Sequence, residues 1–476
     1  MTIDRRTLLA TSAAFAIAPA GALSRDYSTK RPAPADRHFT SPAVEREIVR
    51  VSTMIADPEL RWLFANCYPN TLDTTVKMSV VDGKPDAFVI TGDIPCLWLR
   101  DSAAQLHPYL PLVRDDPRLR ELFRGLIARH ARSILIDPYA NAFLEDPMGK
   151  TNLSWALHDE TEMKSGVAER KWEVDSLCYP IRLASAYWQE TGDKSPFDTT
   201  WAESARAIVR TFREQQRKHD PGPYSFRRAA SQPTETLLWG EGNPTRKVGL
   251  IHSGFRPSDD ACLYPFLIPA NLFAVMALRA LAKLAEQTRG DSQLAADAAA
   301  LADEVDAALK SYGTMRLPDG RDVWAYEVDG YGNTLFMDDA NIPSLSGLAY
   351  LGCLSADDAR WRRTAAAAWS PANPWFFRGR AAEGIGGPHV GARQIWPMSL
   401  IVRALSAQDD ATIVACLRTL KATHAGTGFM HESFDQDDPV KFTREWFAWA
   451  NGLFGELIIH LARRRPHLLR APLPPL

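Results

Sequence analysis

Apolar residues recur at three-and-four spacing over nine stretches of this chain, which predicts helices that each bury one face. The stretches are 43–56, 119–135, 174–188, 202–215, 269–286, 291–309, 395–405, 411–423 and 445–462. Two shorter stretches alternate instead, 76–90 around Asp82-Gly83 and 315–328 around Pro318-Asp319-Gly320, and predict β-hairpins. No strand–helix–strand alternation, mid-chain linker or internal repeat interrupts the pattern. It predicts a single large domain of packed helix pairs over 41–476, preceded at 23–40 by a polar, proline-containing linker.

The first 22 residues read as an address rather than as fold. Arg5-Arg6 precedes an uncharged, alanine-rich run from Leu8 to Ala18, and Ala20-Gly21-Ala22 supplies a small-x-small cleavage pattern. This predicts a secretory signal of the twin-arginine type and export to a periplasm. The run is too short to span a bilayer. No other segment reads as apolar enough to do so, and no stable membrane insertion is expected.

Composition narrows the partners. Lys+Arg 55 against Asp+Glu 57 leaves no basic excess, which argues against nucleic acid. Fourteen tryptophans raise the expectation of a sugar ligand, because aromatic faces stack on the apolar C–H faces of pyranoses. The six cysteines are scattered without a C-x-x-C, dictate no pairing, and read as small buried hydrophobes. No phosphate-binding loop, zinc-protease motif or nucleophile elbow is present, and the glycines at 384–387 read as a tight loop rather than a dinucleotide site. No cofactor and no metal are expected; Asp435-Gln436-Asp437-Asp438 lacks the glycine and distal glutamate of a calcium loop.

Chemistry concentrates between the helices. Carboxylates stand among Trp, Phe, Met, Arg and His at 91–102, 159–175, 252–260, 337–341, 429–434 and 443–451. Carboxylates in such company are costly to bury unless paired or protonated. A sugar site meets that cost with ligand hydroxyls, and hydrolysis of a glycosidic bond needs a proton donor and a base, which carboxylates supply.

These same segments resemble glycoside hydrolase family 125, the metal-independent exo-α-1,6-mannosidases. The matching strings are TGDIPCLWLRDS at 91–102, DETEMKSGVAERKWEVDSLCYPIRL at 159–183, HSGFRPSDDACLYPFLIPANLFAV at 252–275, MDDANIPSL at 337–345, GIGGPHVG at 384–391, IWPMSLI at 395–401, and TGFMHESF and FTREWFAWAN near the end. The resemblance spans about residues 45–460. It implies an all-α (α/α)6 barrel with short hairpins in the loops, and an inverting hydrolase of terminal α-1,6-linked mannose. Carried over by position, it implies Asp259 as catalytic acid and Glu432 as base, with Asp260 and Glu445 as adjacent competitors; spacing alone does not separate Asp259 from Asp260. Trp98, Arg100, Asp101, Lys171, Glu173, His252, Arg256, Asp260, Asp339, Asn341, His389 and Glu445 are the candidates for gripping mannose. The sequence departs from the family at Ala168, where a bulkier aromatic is expected, and at Cys96. An acid active near neutral pH is expected to have a raised pKa, from apolar surroundings or a neighbouring carboxylate. A non-catalytic periplasmic glycan-binding protein is the alternative reading. A polysaccharide lyase on the same barrel is disfavoured, because it requires basic residues against a uronate.

Overall fold

The computed structural model describes residues 27–229 and 232–474; the signal-peptide reading falls outside them. The helices are α1 (Pro42–Ser52), α2 (Pro58–Cys67), α3 (Asn70–Thr74), α4 (Leu99–Leu106), α5 (Pro117–Ile136), α6 (Val174–Thr191), α7 (Thr199–Gln215), α8 (Ile268–Leu284), α9 (Ser292–Tyr312), α10 (Ala359–Ala368), α11 (Pro397–Ser406), α12 (Asp410–Ala422) and α13 (Ala448–Arg464). Helices α13, α4, α6 and α8 pack in that sequence, and α11 returns onto α13. Around them α5 packs on α7, α7 and α8 on α9, and α12 on α11 and α2. Alternation of inner and outer helices in this order is consistent with the expected (α/α)6 barrel. Between α8 and α11, the turn-rich segment 341–352 lies against the inner ring: Tyr179 of α6 donates its hydroxyl to the Ile342 carbonyl at 2.9 Å, and Tyr350 donates to Glu456 of α13 at 2.9 Å.

How the helices start divides them into two classes. Helices α1, α2, α5, α7, α9, α10 and α12 open on a side-chain cap, from Ser41, Asp57, Asp116, Asp198, Asp291, Asp358 and Asp409. Each cap satisfies amide N–H groups that the first turn leaves unpaired, and contributes about 1 kcal/mol. The inner helices α4, α6, α8, α11 and α13 have no side-chain cap. Short strands lead into three of them directly: Leu97–Trp98 into α4, Phe266–Leu267 into α8 and Gln394–Ile395 into α11. The uncapped ends bring partial positive charge toward one end of the inner ring.

The two predicted hairpins are present, with Val76–Val81 on Lys84–Val89 and Thr314–Arg316 on Asp322–Trp324. Their strands are short, as are those of the remaining small sheets. One apolar core runs from Phe39 to Leu473. A smaller cluster beside it holds Cys96, Trp98, Ala142, Leu153, Ala156 and Ala168. The two departures from the family pattern therefore share one local packing unit.

Two expectations need correction. The segment Ile268–Arg289, with mean hydropathy 1.4, is long and apolar enough to cross a membrane, contrary to the sequence reading. It is mostly buried inside the protein, between α6 and α9, so its apolarity is that of a core helix. The stretch before residue 41 is also more than a polar linker. Trp62 Nε1 donates to the Ser28 carbonyl at 2.6 Å, the Lys30 amide donates to Asn66 Oδ1 at 3.0 Å, and Arg31 donates to both Glu45 and Asp73. These bonds tie residues 28–31 to α1, α2 and α3.

Candidate active site

At the N-terminal ends of the inner helices lies a cleft of about 650 Å³. Its wall includes Trp98, Arg100 and Asp101 from the start of α4, Trp396 before α11, and Phe447 and Trp449 at the start of α13. Asp259, Glu432, Lys171, Asn341 and His389 complete the predicted residues that line it. The tight loop read at 384–391 brings His389 there by close backbone approach. A Cβ at Gly386 would stand 2.1 Å from the Gln394 carbonyl, and one at Gly387 would stand 3.0 Å from the Asp339 carboxylate.

Asp259 is held from several sides. Its backbone is left-handed, at φ +69°, and its main-chain carbonyl accepts from Lys171 Nζ at 2.7 Å. Asn141 Nδ2 donates to its Oδ1 at 3.3 Å, and Arg100 Nη2 stands 3.8 Å from the same oxygen. Burial works against its charge, but Lys171, Arg100 and a hydrogen bond with Glu173 outweigh burial and hold the carboxyl below its usual range. The raised pKa expected of the acid is therefore not found on Asp259 in the empty site. It is found on its neighbour: burial pushes Glu173 well above its usual range, with Arg100 opposing.

Glu432 approaches from the opposite end of the sequence. Ser433–Asp435 pairs with Gln394–Ile395 and Phe442–Thr443, which fixes the MHESF segment at the cleft. Arg444 Nη1 lies 3.4 Å from Glu432 Oε1 and also pairs with Asp93. The two proposed carboxylates thus face one space from separate loops.

Geometry separates Asp259 from Asp260. Asp260 is buried off the cleft, where Ser258 Oγ donates to its Oδ2 at 3.1 Å. Burial raises its carboxyl to about 6, with His389 opposing and Asp339 adding to the rise. Asp339 is likewise buried, its Oδ1 accepting from the Asn341 amide at 2.9 Å and Nδ2 at 3.1 Å. Glu173 is fully buried and does not line the cleft.

Besides Glu173, Asp260 and Asp339, three further predicted sugar-gripping residues are not brought to the cleft. His252 is a buried core histidine, its Nε2 3.1 Å from the Glu241 carbonyl, and burial holds its ring neutral. Arg256 spends its charge on Glu327 at 2.6 Å. Glu445 is exposed in the loop before α13, which starts at Ala448 and not at the predicted 445; its main-chain carbonyl lies 2.7 Å from His431 Nδ1.

The sequence reading missed a second layer of the wall. Arg228 binds Asp159 at 2.7 Å, Glu169 at 2.8 Å and Glu235 at 3.0 Å, and Lys171 Nζ donates to Glu235 at 3.0 Å. Glu169, Arg228 and Glu235 line the cleft together with Trp155 and His158, and Trp155 remains 44% exposed. Arg228 and Glu235 lie in a polar stretch without periodicity; their only signal is the count of charges opposite the DETEMK string.

A cleft walled by carboxylates, guanidinium groups and aromatic side chains, with Trp155 exposed at its rim, has the chemistry of a carbohydrate site. A family model described as metal-independent α-mannosidase (GH125) matches residues 57–459. The chain belongs to this family of glycoside hydrolases. It is 42% identical over 460 residues to the meiotically up-regulated gene 157 protein of Schizosaccharomyces pombe, covering 93% of this chain and 90% of that one. A solved Streptococcus pneumoniae protein is 40% identical, with a TM-score of 0.85 over 90% of this chain and 100% of that one. It is described as a metal-independent α-mannosidase in a non-productive complex with α-1,6-mannobiose. A rhamnosidase from Bacillus sp. GL1 shares the fold at 12% identity and TM-score 0.51, over 86% of this chain and 35% of that one. Family membership makes this protein an α-mannosidase and sets aside the reading as a non-catalytic glycan-binding protein.

Proposed function

We propose that this α-mannosidase is an inverting exo-enzyme that removes terminal α-1,6-linked mannose, with Asp259 as acid and Glu432 as base. The carrying observation is that both carboxylates line one cleft, on loops fixed independently of one another. Its volume of about 650 Å³ suits a small oligosaccharide. The α-1,6 preference is supported by the ligand of the Streptococcus pneumoniae relative.

Protonation by Asp259 lets the glycosidic oxygen leave with the bonding electrons. Glu432 takes a proton from a water that attacks the anomeric carbon from the opposite face, which inverts its configuration. Arg100, Lys171 and Arg444 offset the negative charge gathered around the sugar, and Trp98, Trp396, Phe447 and Trp449 offer it apolar faces. Release of free mannose from α-1,6-mannobiose, and not from the α-1,2 or α-1,3 isomers, is the test. Equal rates on all three would overturn the linkage assignment.

The precursor is proposed to leave the cytoplasm by the twin-arginine route. Support comes from Arg5-Arg6 and the uncharged, alanine-rich run that follows from Leu8 to Ala18.

A further inference from the structure

Glu173 stands at the start of α6, behind Asp259, and its carboxyl is shut off from solvent. Its Oε2 accepts from Arg100 Nη1 at 2.5 Å and from Ser176 Oγ at 2.7 Å. Its Oε1 is buried and receives no donor among the described residues. One guanidinium joins the two carboxyls: Arg100, which pairs with Glu173 through Nη1, holds Nη2 3.8 Å from Asp259 Oδ1, and a hydrogen bond between the two acids lowers the pKa of Asp259 and raises that of Glu173. Two carboxylates so placed, Glu173 fully buried and Asp259 partly so, repel unless one proton lies between them and turns the contact into an O–H···O⁻ hydrogen bond. The other titratable and charged groups facing this pair are Arg100 and Asp101 from α4, Asp175 from α6, Lys171 from the segment that leads into α6, and His389 from the loop 384–391. Arg100 and Lys171 favour the anion on Asp259, and burial favours the proton on Glu173.

We propose that Glu173 is the proton partner of Asp259, a positioning residue that stores the proton Asp259 delivers to the departing oxygen. The inference rests on the reading of Asp259 as the acid. The proton passes from Glu173 Oε1 to the Asp259 carboxylate and on to the glycosidic oxygen as the C–O bond breaks and its electron pair leaves with that oxygen. Water, losing a proton to Glu432, forms the new C–O bond. The two carboxylates left behind are balanced by Arg100 and Lys171. The cycle closes when the Glu432 proton is lost to solvent and the pair takes one up.

Glu173→Gln is the test, because the amide fills the same space and still donates to Asp259 but has no proton to give. Turnover of α-1,6-mannobiose near neutral pH should fall about 10²-fold or more, with KM little changed. The basic limb of kcat/KM against pH should move down by about one unit or more, because protonation then depends on Asp259 alone, whose pKa is depressed. A dinitrophenyl α-mannoside, whose leaving group needs little protonation, should recover most of the rate. Ser176→Ala removes a donor to the Glu173 anion, so it should move the same limb up. A folded Glu173→Gln enzyme with the wild-type limb and equal losses on both substrates would overturn the relay and leave Asp259 as acid. If Glu173→Gln does not fold, an unmoved limb in Ser176→Ala overturns it. Full activity of Asp259→Asn on mannobiose would instead sink the acid assignment on which the relay rests.

Discussion

Arg256 donates through Nε to Glu327 Oε1 at 2.6 Å, while Glu327 Oε2 accepts the main-chain N–H groups of Leu263 and Tyr264 at 2.9 and 3.0 Å. This buried pair pins the loop that carries Asp259 to the strand Glu327–Val328. Arg256→Met would leave the Glu327 charge buried without its counter-ion, and stability should drop by about 3–5 kcal/mol in chemical denaturation. A loss below about 1 kcal/mol would mean that the pair does not hold the loop.

The two cleft carboxylates should fail in different ways. Asp259→Asn and Glu432→Gln should each lower turnover on mannobiose by about 10²–10⁴-fold, with sugar binding largely kept. An activated leaving group should partly rescue Asp259→Asn and not Glu432→Gln, because water activation is still missing in the second. Equal rescue of both would exchange or dissolve the assigned roles.

The anomer formed first reports the stereochemistry. Proton NMR in the first minutes of reaction should show β-mannose, which then mutarotates. Early α-mannose would require a double displacement with one carboxylate as nucleophile.

Thorough chelation should leave activity on α-1,6-mannobiose unchanged, as the family description implies. Loss of activity that calcium restores would instead make ligands of the acidic loops.

Export can be tested apart from catalysis. Replacing Arg5 and Arg6 together by lysine should hold the precursor in the cytoplasm, read by fractionation and activity. Normal export of the double variant would reject the twin-arginine route.

Four of the capped helices were legible because they obey local rules. An aspartate cap followed by an apolar stripe marks α5, α7, α9 and α12 within a few residues of their observed bounds. The helices α2, α3, α4 and α10 were missed for physical reasons; α3 is a single five-residue turn, too short to show a period. Helix α4 reads LRDSAAQL and is buried throughout, so it has no apolar stripe against a polar one, and its charged residues serve the cleft. Helix α2 is buried on nearly every side, and α10 is an alanine run with little periodic contrast. At the site, the strings that carry Asp259 and Glu432 were legible. Their depth was not, because sequence cannot tell Asp259, which faces the cleft, from Asp260, which lies behind it. His252 and Arg256 share the string with Asp259 yet serve its scaffold. Arg228 and Glu235 reach the cleft from a stretch with no pattern of its own.

The left-handed backbone at Asp259 restricts what can ever stand there. With φ at +69°, most side chains would incur about 1–2 kcal/mol of strain, while Gly, Asn and Asp adopt the conformation readily. Of these only Asp can release a proton. Chemistry and conformation therefore filter the position separately, and a longer acid such as glutamate, though it passes the first, meets that strain at the second. Tuning of acid strength, by drift or by design, is therefore made at least cost from Glu173, Lys171 and Arg100 around a residue whose replacement carries a conformational penalty.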